Sequence, residues 1–217
     1  MLFDVNNTLA VAATLRDHYV NANLNMPPLV CDPVCVSTSG HTLLHPQAVE
    51  VMIKEIFPLS ALITPNKYEA ELLLSHQDFP NMIADLEDML VAAKHLTTFG
   101  PQAVLLKGGH ITVTANDVRR VLKNHARIHV VEDGVFEENM EILHVSEEEP
   151  SSSQQFVVDV LYQYEDKTTI FLRPCINSKN THGTGCTLSA ALACCLGRGL
   201  HSRLPFILYS CCSLQVL

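Results

Sequence analysis

An α/β fold with a mainly parallel sheet follows from three features of this 217-residue chain. Short apolar runs alternate with amphipathic helical segments along most of its length. Several of those runs stop at Pro- or Gly-containing turns, as buried strands do where they leave a sheet. Hydrophobic residues make up 47% and charged residues 17%, enough apolar material for one sizeable core and too little charge for wholesale disorder.

The elements follow in order. Apolar spacing predicts a helix over Thr8–Tyr19, then a polar link from Asn21 to Pro28 and a strand at Leu29-Val30-Cys31 that stops at Asp32-Pro33. After Pro46, the positions Val49, Met52, Ile53 and Ile56 share a helical face, and Pro58 ends the segment. Ala61-Leu62-Ile63 reads as a short buried strand closed by Thr64-Pro65-Asn66, with a helix over Tyr68–Leu74. Leu86, Met89, Leu90, Ala93 and Leu96 mark another helix, and Ala103–Leu106 a strand running out into Lys107-Gly108-Gly109-His110. Eight acids between Glu132 and Pro150 predict an exposed acidic loop, with 132–155 as its bounds. Val157–Leu161 and Thr169–Leu172 are expected to pair as edge strands. A helix rich in small residues runs from about Gly185 to Leu196.

Composition excludes several functions. Fourteen Lys and Arg against 23 Asp and Glu give a formal charge of −9, the wrong sign for a general nucleic-acid binder. The apolar stretch Leu204–Leu217 spans only 14 residues and contains Pro205, short of the roughly 20 a membrane helix needs. The N-terminus lacks the basic flank and apolar core of a secretory signal. The eight cysteines include two adjacent pairs and no CxxC or zinc-type spacing, so reduced thiols in a cytoplasmic protein are expected.

Three strand ends carry similar polar decoration: Asp32-Pro33-Val34, Thr64-Pro65-Asn66 and Lys107-Gly108-Gly109. Ligands in open parallel sheets bind beyond such ends. Together with the glycine-rich helix start Asn180-Thr181-His182-Gly183-Thr184-Gly185-Cys186-Thr187, they predict a phosphate-handling cleft. The helix dipole is expected to lower the pKa of Cys186. Each residue also has a structural reading: Cys186 as a small packing thiol, Glu69 as a first-turn acid, Asp32 as a chain cap, Lys107 as a surface lysine. His110 and His182 lie beside the cleft and fit a structural role at least as well.

The run Asn180–Ala191 (NTHGTGCTLSAA) resembles the anion-hole motif of hydroxymethylpyrimidine and phosphomethylpyrimidine kinases, the thiamine-biosynthesis branch of the ribokinase-like superfamily. Val30–Gly40 (VCDPVCVSTSG), Ile63–Leu73 (ITPNKYEAELL) and Val104–His110 (VLLKGGH) resemble the family's other blocks, in order, over most of Met1–Gly199. The resemblance implies a three-layer αβα domain and ATP-dependent phosphorylation of a pyrimidine alcohol or its phosphate. Within it, Cys186 takes the place of the usual aspartate base, with Gly183, Thr184 and Gly185 supplying backbone N–H groups. Lys107 and Asn66 serve the ATP phosphates, Asp32 and Glu69 serve Mg2+, and Val34 and Met1 line the pyrimidine pocket. A pyridoxal-type vitamin kinase and a non-catalytic nucleotide-binding fragment are the alternatives. The family's opening strand–helix units precede the segment matching Met1, so 1–199 is expected to be a partial domain and 200–217 an atypical tail. A homodimer, or pairing with a full-length homologue, would cover the sheet edge thus exposed.

Overall fold

The computed structural model describes residues 4–36, 43–77, 79, 82–125, 127–133, 142–143, 155–163, 167–174 and 184–199. Asp4 caps helix α1 (Val5–Leu15), its side chain accepting from the Asn7 amide at 2.8 Å, and a π-helical turn over Arg16–Asn21 extends it. Strand β1 (Leu29–Cys31) leads to α2 (Pro46–Val51), which begins with Pro46 where the missing N–H costs nothing. Then come β2 (Ser60–Ile63), α3 (Lys67–Leu74), α4 (Leu86–Leu96) and β3 (Ala103–Thr114). Helix α5 (Ala115–Asn124), β4 (Ile128–Asp133), β5 (Ile142–Leu143), β6 (Gln155–Gln163), β7 (Lys167–Pro174) and α6 (Thr184–Gly197) complete the described fold.

The strands form one sheet in the order β1-β2-β3-β6-β7-β4-β5. The α/β class holds, but the sheet is mixed: β1–β2, β2–β3 and β4–β7 pair in parallel, while β3–β6, β6–β7 and β4–β5 are antiparallel. β6 and β7 pair as expected, yet as interior strands between β3 and β4, not as an edge. Their continuous apolar runs suit burial on both faces. Part of the acidic stretch also belongs to the sheet, since Glu132 and Asp133 close β4 and pair with β5. Helix α5 went unpredicted because only Val118 and Val121 are buried along it; its signal was the capping box of Thr114 and Asp117.

Side-chain alternation divides the sheet into two faces. Ile63, Val104, Leu106, Val158, Val160, Ile170 and Leu172 join the core beneath α1–α5. Leu62, Ala103, Leu105, Leu161 and Phe171 face the other way, against Leu188, Leu192 and Leu196 of α6. The result is a three-layer αβα arrangement. No helix among the described residues is long and apolar enough to cross a membrane.

Strand β3 does not end at Lys107. It continues to Thr114 after a bulge: Lys107 pairs with Asp159 and Thr112 with Val157, so three extra residues lie on β3. Gly109 takes φ +62° within it. At Gly108 a Cβ would stand 2.1 Å from the Val158 carbonyl oxygen. The Gly108 amide is satisfied by Asp159 Oδ1 at 3.0 Å, and Asp159 in turn pairs with Arg173 on β7. Gly108→Ala is therefore expected to cost roughly 3 kcal/mol through overpacking against backbone. Gly197→Ala, with open space around it, should change stability little. Urea unfolding of the two variants checks the contrast.

Candidate active site

The same alternation that places Val30, Leu62 and Leu105 toward α6 carries on two residues further in each strand, to Asp32, Thr64 and Lys107. At the end of the sheet the α6 face thus changes from apolar to polar. Lys107 Nζ lies 3.2 Å from Asp32 Oδ1, with both side chains largely withdrawn from solvent. Thr64 Oγ1 donates to the same oxygen at 3.0 Å. The Thr64 and Ser189 hydroxyls are 2.8 Å apart, and Ser189 lies 3.0 Å from the Gly185 carbonyl. A Cβ on Gly185 would come within 2.9 Å of Lys107 Nζ, which places the ammonium directly against the helix start.

Thr184, Gly185 and Cys186 form the first turn of α6. Their amide N–H groups have no partner within the helix and present the positive end of its dipole. Cys186 does not have the lowered pKa expected of that position. Burial raises it, and the Asp32 carboxylate, which accepts from the thiol, raises it further against the opposing pull of Lys107. Cys31 and Cys35 are pushed up to about 12, chiefly by burial, and the described cysteines are free thiols.

Asn66 and Glu69 form a capping box at α3: Asn66 Oδ1 accepts from the Glu69 amide at 2.9 Å, and Glu69 Oε2 from the Asn66 amide at 2.8 Å. A bridge between Asn66 and Lys107, through the Lys107 amide and the Pro65 carbonyl, ties this cap to β3. Glu69 is 2% exposed. Burial pushes its pKa up to about 7, with Asp32 adding to the rise and the Asn66 amide and Lys107 opposing it. Val34 is half-buried just beyond Asp32, its amide bonded to the Asp32 carbonyl at 2.8 Å.

Asp32, Lys107, Gly185 and Cys186 therefore meet, with Asn66 and Glu69 alongside. Met1, Gly183 and His182 lie outside the described residues, as does the side chain of His110. Sequence reasoning gave no role to Thr64, Ser189 or Asp159. Thr64 was within reach of the alternation from Leu62, and Ser189 of the one-turn spacing from Gly185. Asp159 stands out as an acid inside the apolar run Phe156–Leu161.

Two consequences are measurable. The folded chain holds a proton on Glu69 that the unfolded chain releases from pH 4.5 upward, so stability falls as pH rises from 4.5 to about 7, then levels. The slope is at most about 1.4 kcal/mol per pH unit. Glu69→Gln keeps a capping acceptor and should abolish that slope in urea titrations across this window; parallel profiles would refute it. Second, Asp32→Asn should lower the Cys186 pKa and speed its alkylation at pH 8, read peptide by peptide by mass spectrometry.

The phosphomethylpyrimidine kinase family matches residues 1–141 and 143–203. The thiamine biosynthesis bifunctional protein ThiED of Geobacter sulfurreducens is 33% identical over 199 residues, covering 92% of this chain and 30% of that protein. The hydroxymethylpyrimidine/phosphomethylpyrimidine kinase of Salmonella typhimurium is 33% identical over 193 residues, covering 89% and 53% respectively. The chain thus spans about half, or less, of the length of these curated relatives. The crystal structure of phosphomethylpyrimidine kinase from Clostridium difficile superposes with a TM-score of 0.63 at 23% identity, over 100% of this chain and 67% of that one. An ADP complex of Bacillus subtilis pyridoxal kinase gives a TM-score of 0.63 at 24% identity, over 97% and 59%. These structural likenesses establish a shared fold.

Proposed function

Since the chain belongs to the phosphomethylpyrimidine kinase family, we propose that it serves ATP-dependent phosphorylation of hydroxymethylpyrimidine, or of its monophosphate, in thiamine biosynthesis. The observation that carries this reading is the meeting of Asp32 and Lys107 with the first turn of α6. That turn offers the N–H groups of Thr184, Gly185 and Cys186 to the charge on a transferred phosphoryl group, and Lys107 adds a positive charge beside them.

Cys186 acts by hydrogen bonding in this scheme. Its thiol holds a proton in the resting site, so its sulfur receives and orients the substrate hydroxyl. Phosphoryl transfer through a loose transition state asks little of a base early in the reaction; as the hydroxyl oxygen bonds phosphorus and ADP leaves, the hydroxyl proton passes to an oxygen of the transferred phosphoryl group. Asp32 accepts from the thiol and keeps it oriented. Val34 borders the ring pocket, with Met1 assigned there by the resemblance.

Mg2+ typically binds one or two carboxylates and completes its shell with water and substrate phosphates. Asp32 and Glu69 match that donor set in type and number; burial raises Glu69, Asp32 adds to the rise, and a nearby cation would favour the ionised form of both. Among the described residues no cluster of three or more His, Cys, Asp or Glu forms an all-protein cage. When bound, the ion supplies charge neutralisation on the ATP phosphates; Asn66 and Glu69 hold the loop that receives them.

The test is phosphorylation of hydroxymethylpyrimidine, its monophosphate and pyridoxal by the purified chain with MgATP. Turnover of the pyrimidines is expected, and Cys186→Ala or Lys107→Ala should lower kcat/KM on the order of a hundredfold. Preference for pyridoxal would move the assignment to the vitamin-kinase alternative. A folded chain that binds ATP without transferring phosphate would leave a nucleotide-binding role.

A further inference from the structure

The contact between Thr64 and Ser189 joins residues 125 apart in sequence and is buried at both ends. Each hydroxyl has one proton to donate. The two hydroxyls are 2.8 Å apart, and two further oxygens flank the pair: Asp32 Oδ1 at 3.0 Å from Thr64 and the Gly185 carbonyl at 3.0 Å from Ser189. The Asp32 carboxylate is the strongest acceptor and takes the Thr64 proton. Ser189 then divides its proton between Thr64 and the Gly185 carbonyl. Thr64 is itself fixed, since its amide donates to the Cys31 carbonyl at 3.1 Å and its side chain is fully buried.

Packing alone would not set this geometry. Leu188, Leu192 and Leu196 hold α6 on the sheet through apolar contact, which is itself non-directional. The Thr64–Ser189 bond, one turn beyond Gly185, adds a directional contact to that packing. We propose that Thr64 and Ser189 are positioning residues, whose paired hydroxyls hold the backbone of Gly185 and Cys186 in register with the Asp32–Lys107 pair. They touch no reacting atom. Their part in phosphoryl transfer rests on the kinase reading above, whereas their hold on α6 does not.

The test compares Thr64→Val, Thr64→Ser and Ser189→Ala in the full chain, after thermal unfolding has shown each to be folded. Thr64→Val keeps the side-chain shape and removes the hydroxyl; Thr64→Ser keeps the hydroxyl. Hydrogen–deuterium exchange of the peptide spanning Gly185–Ala190 reads the hold directly, without turnover. Faster exchange in Thr64→Val and Ser189→Ala, restored in Thr64→Ser, is expected. In the kinase assay kcat should fall about tenfold in the first two, with little change in KM for the pyrimidine, as for a small misplacement of catalytic groups. Unchanged exchange in both hydroxyl-deleting variants would overturn the proposal, as would equal behaviour of Thr64→Val and Thr64→Ser. A wild-type chain that turns over no substrate would refute the kinase reading, and the exchange comparison would still decide the positioning role. Should Thr64→Val fail to fold, Ser189→Ala at the far end of the same bond decides it.

Discussion

The ion pair between Asp32 and Lys107 is the constraint around which this end of the molecule is arranged. It joins the end of β1 to the bulge of β3 across β2, and the intervening strand contributes Thr64 to the same carboxylate oxygen. Sheet alternation makes this inevitable once Leu62 and Leu105 are committed to the α6 layer, because the residue two places on must face the same way. Charges so enclosed persist only when paired and hydrogen-bonded. Asp32 meets that requirement through Lys107, Thr64 and Cys186.

A second buried ion pair supports the first. Asp159 and Arg173 lie on the α6 side of β6 and β7, and Asp159 also takes the Gly108 amide immediately after Lys107. The bulge would otherwise leave that amide without a ladder partner. A glycine at 108 lets β3 approach the Val158 carbonyl, and the left-handed conformation at Gly109 turns the chain beyond it. The Lys-Gly-Gly sequence is thus a bulge in mid-strand and not a strand end, and its glycines answer to backbone geometry. Lys107 still reaches the end of the parallel part of the sheet, because the bulge begins just after it.

Electrostatics give the site two carboxylates of different character. Asp32 is held by a cation and two donors. Glu69 is buried on the adjoining helix cap and raised toward neutrality. A carboxyl so raised, beside a lysine and a helix start, has the character of a group in a functional cleft. The helix dipole at Cys186 acts in the same small volume, yet burial and the Asp32 carboxylate outweigh it, and the thiol keeps its proton.

Much of this was legible in the chain. Strands β1, β2, β6 and β7 and helices α3, α4 and α6 follow from apolar runs and 3.6-residue spacing, which are local properties. The block motifs pointed to Asp32, Asn66, Glu69, Lys107, Gly185 and Cys186 as neighbours. Local signals failed where the deciding partner was remote. The continuation of β3 past Lys107 depends on a carboxylate 51 residues away, and the interior placement of β6 and β7 on which strands lie beside them. The Cys186 thiol is raised and not lowered because burial, and after it Asp32, distant in sequence but adjacent in space, act on it. Sequence by itself determined the elements, the class and the identity of the groups at the cleft, since periodicity and residue chemistry are written residue by residue. Pairing order, protonation state and the Thr64–Ser189 contact were decided by tertiary structure alone, because burial and Coulomb energy depend on distances that exist only once the chain has folded.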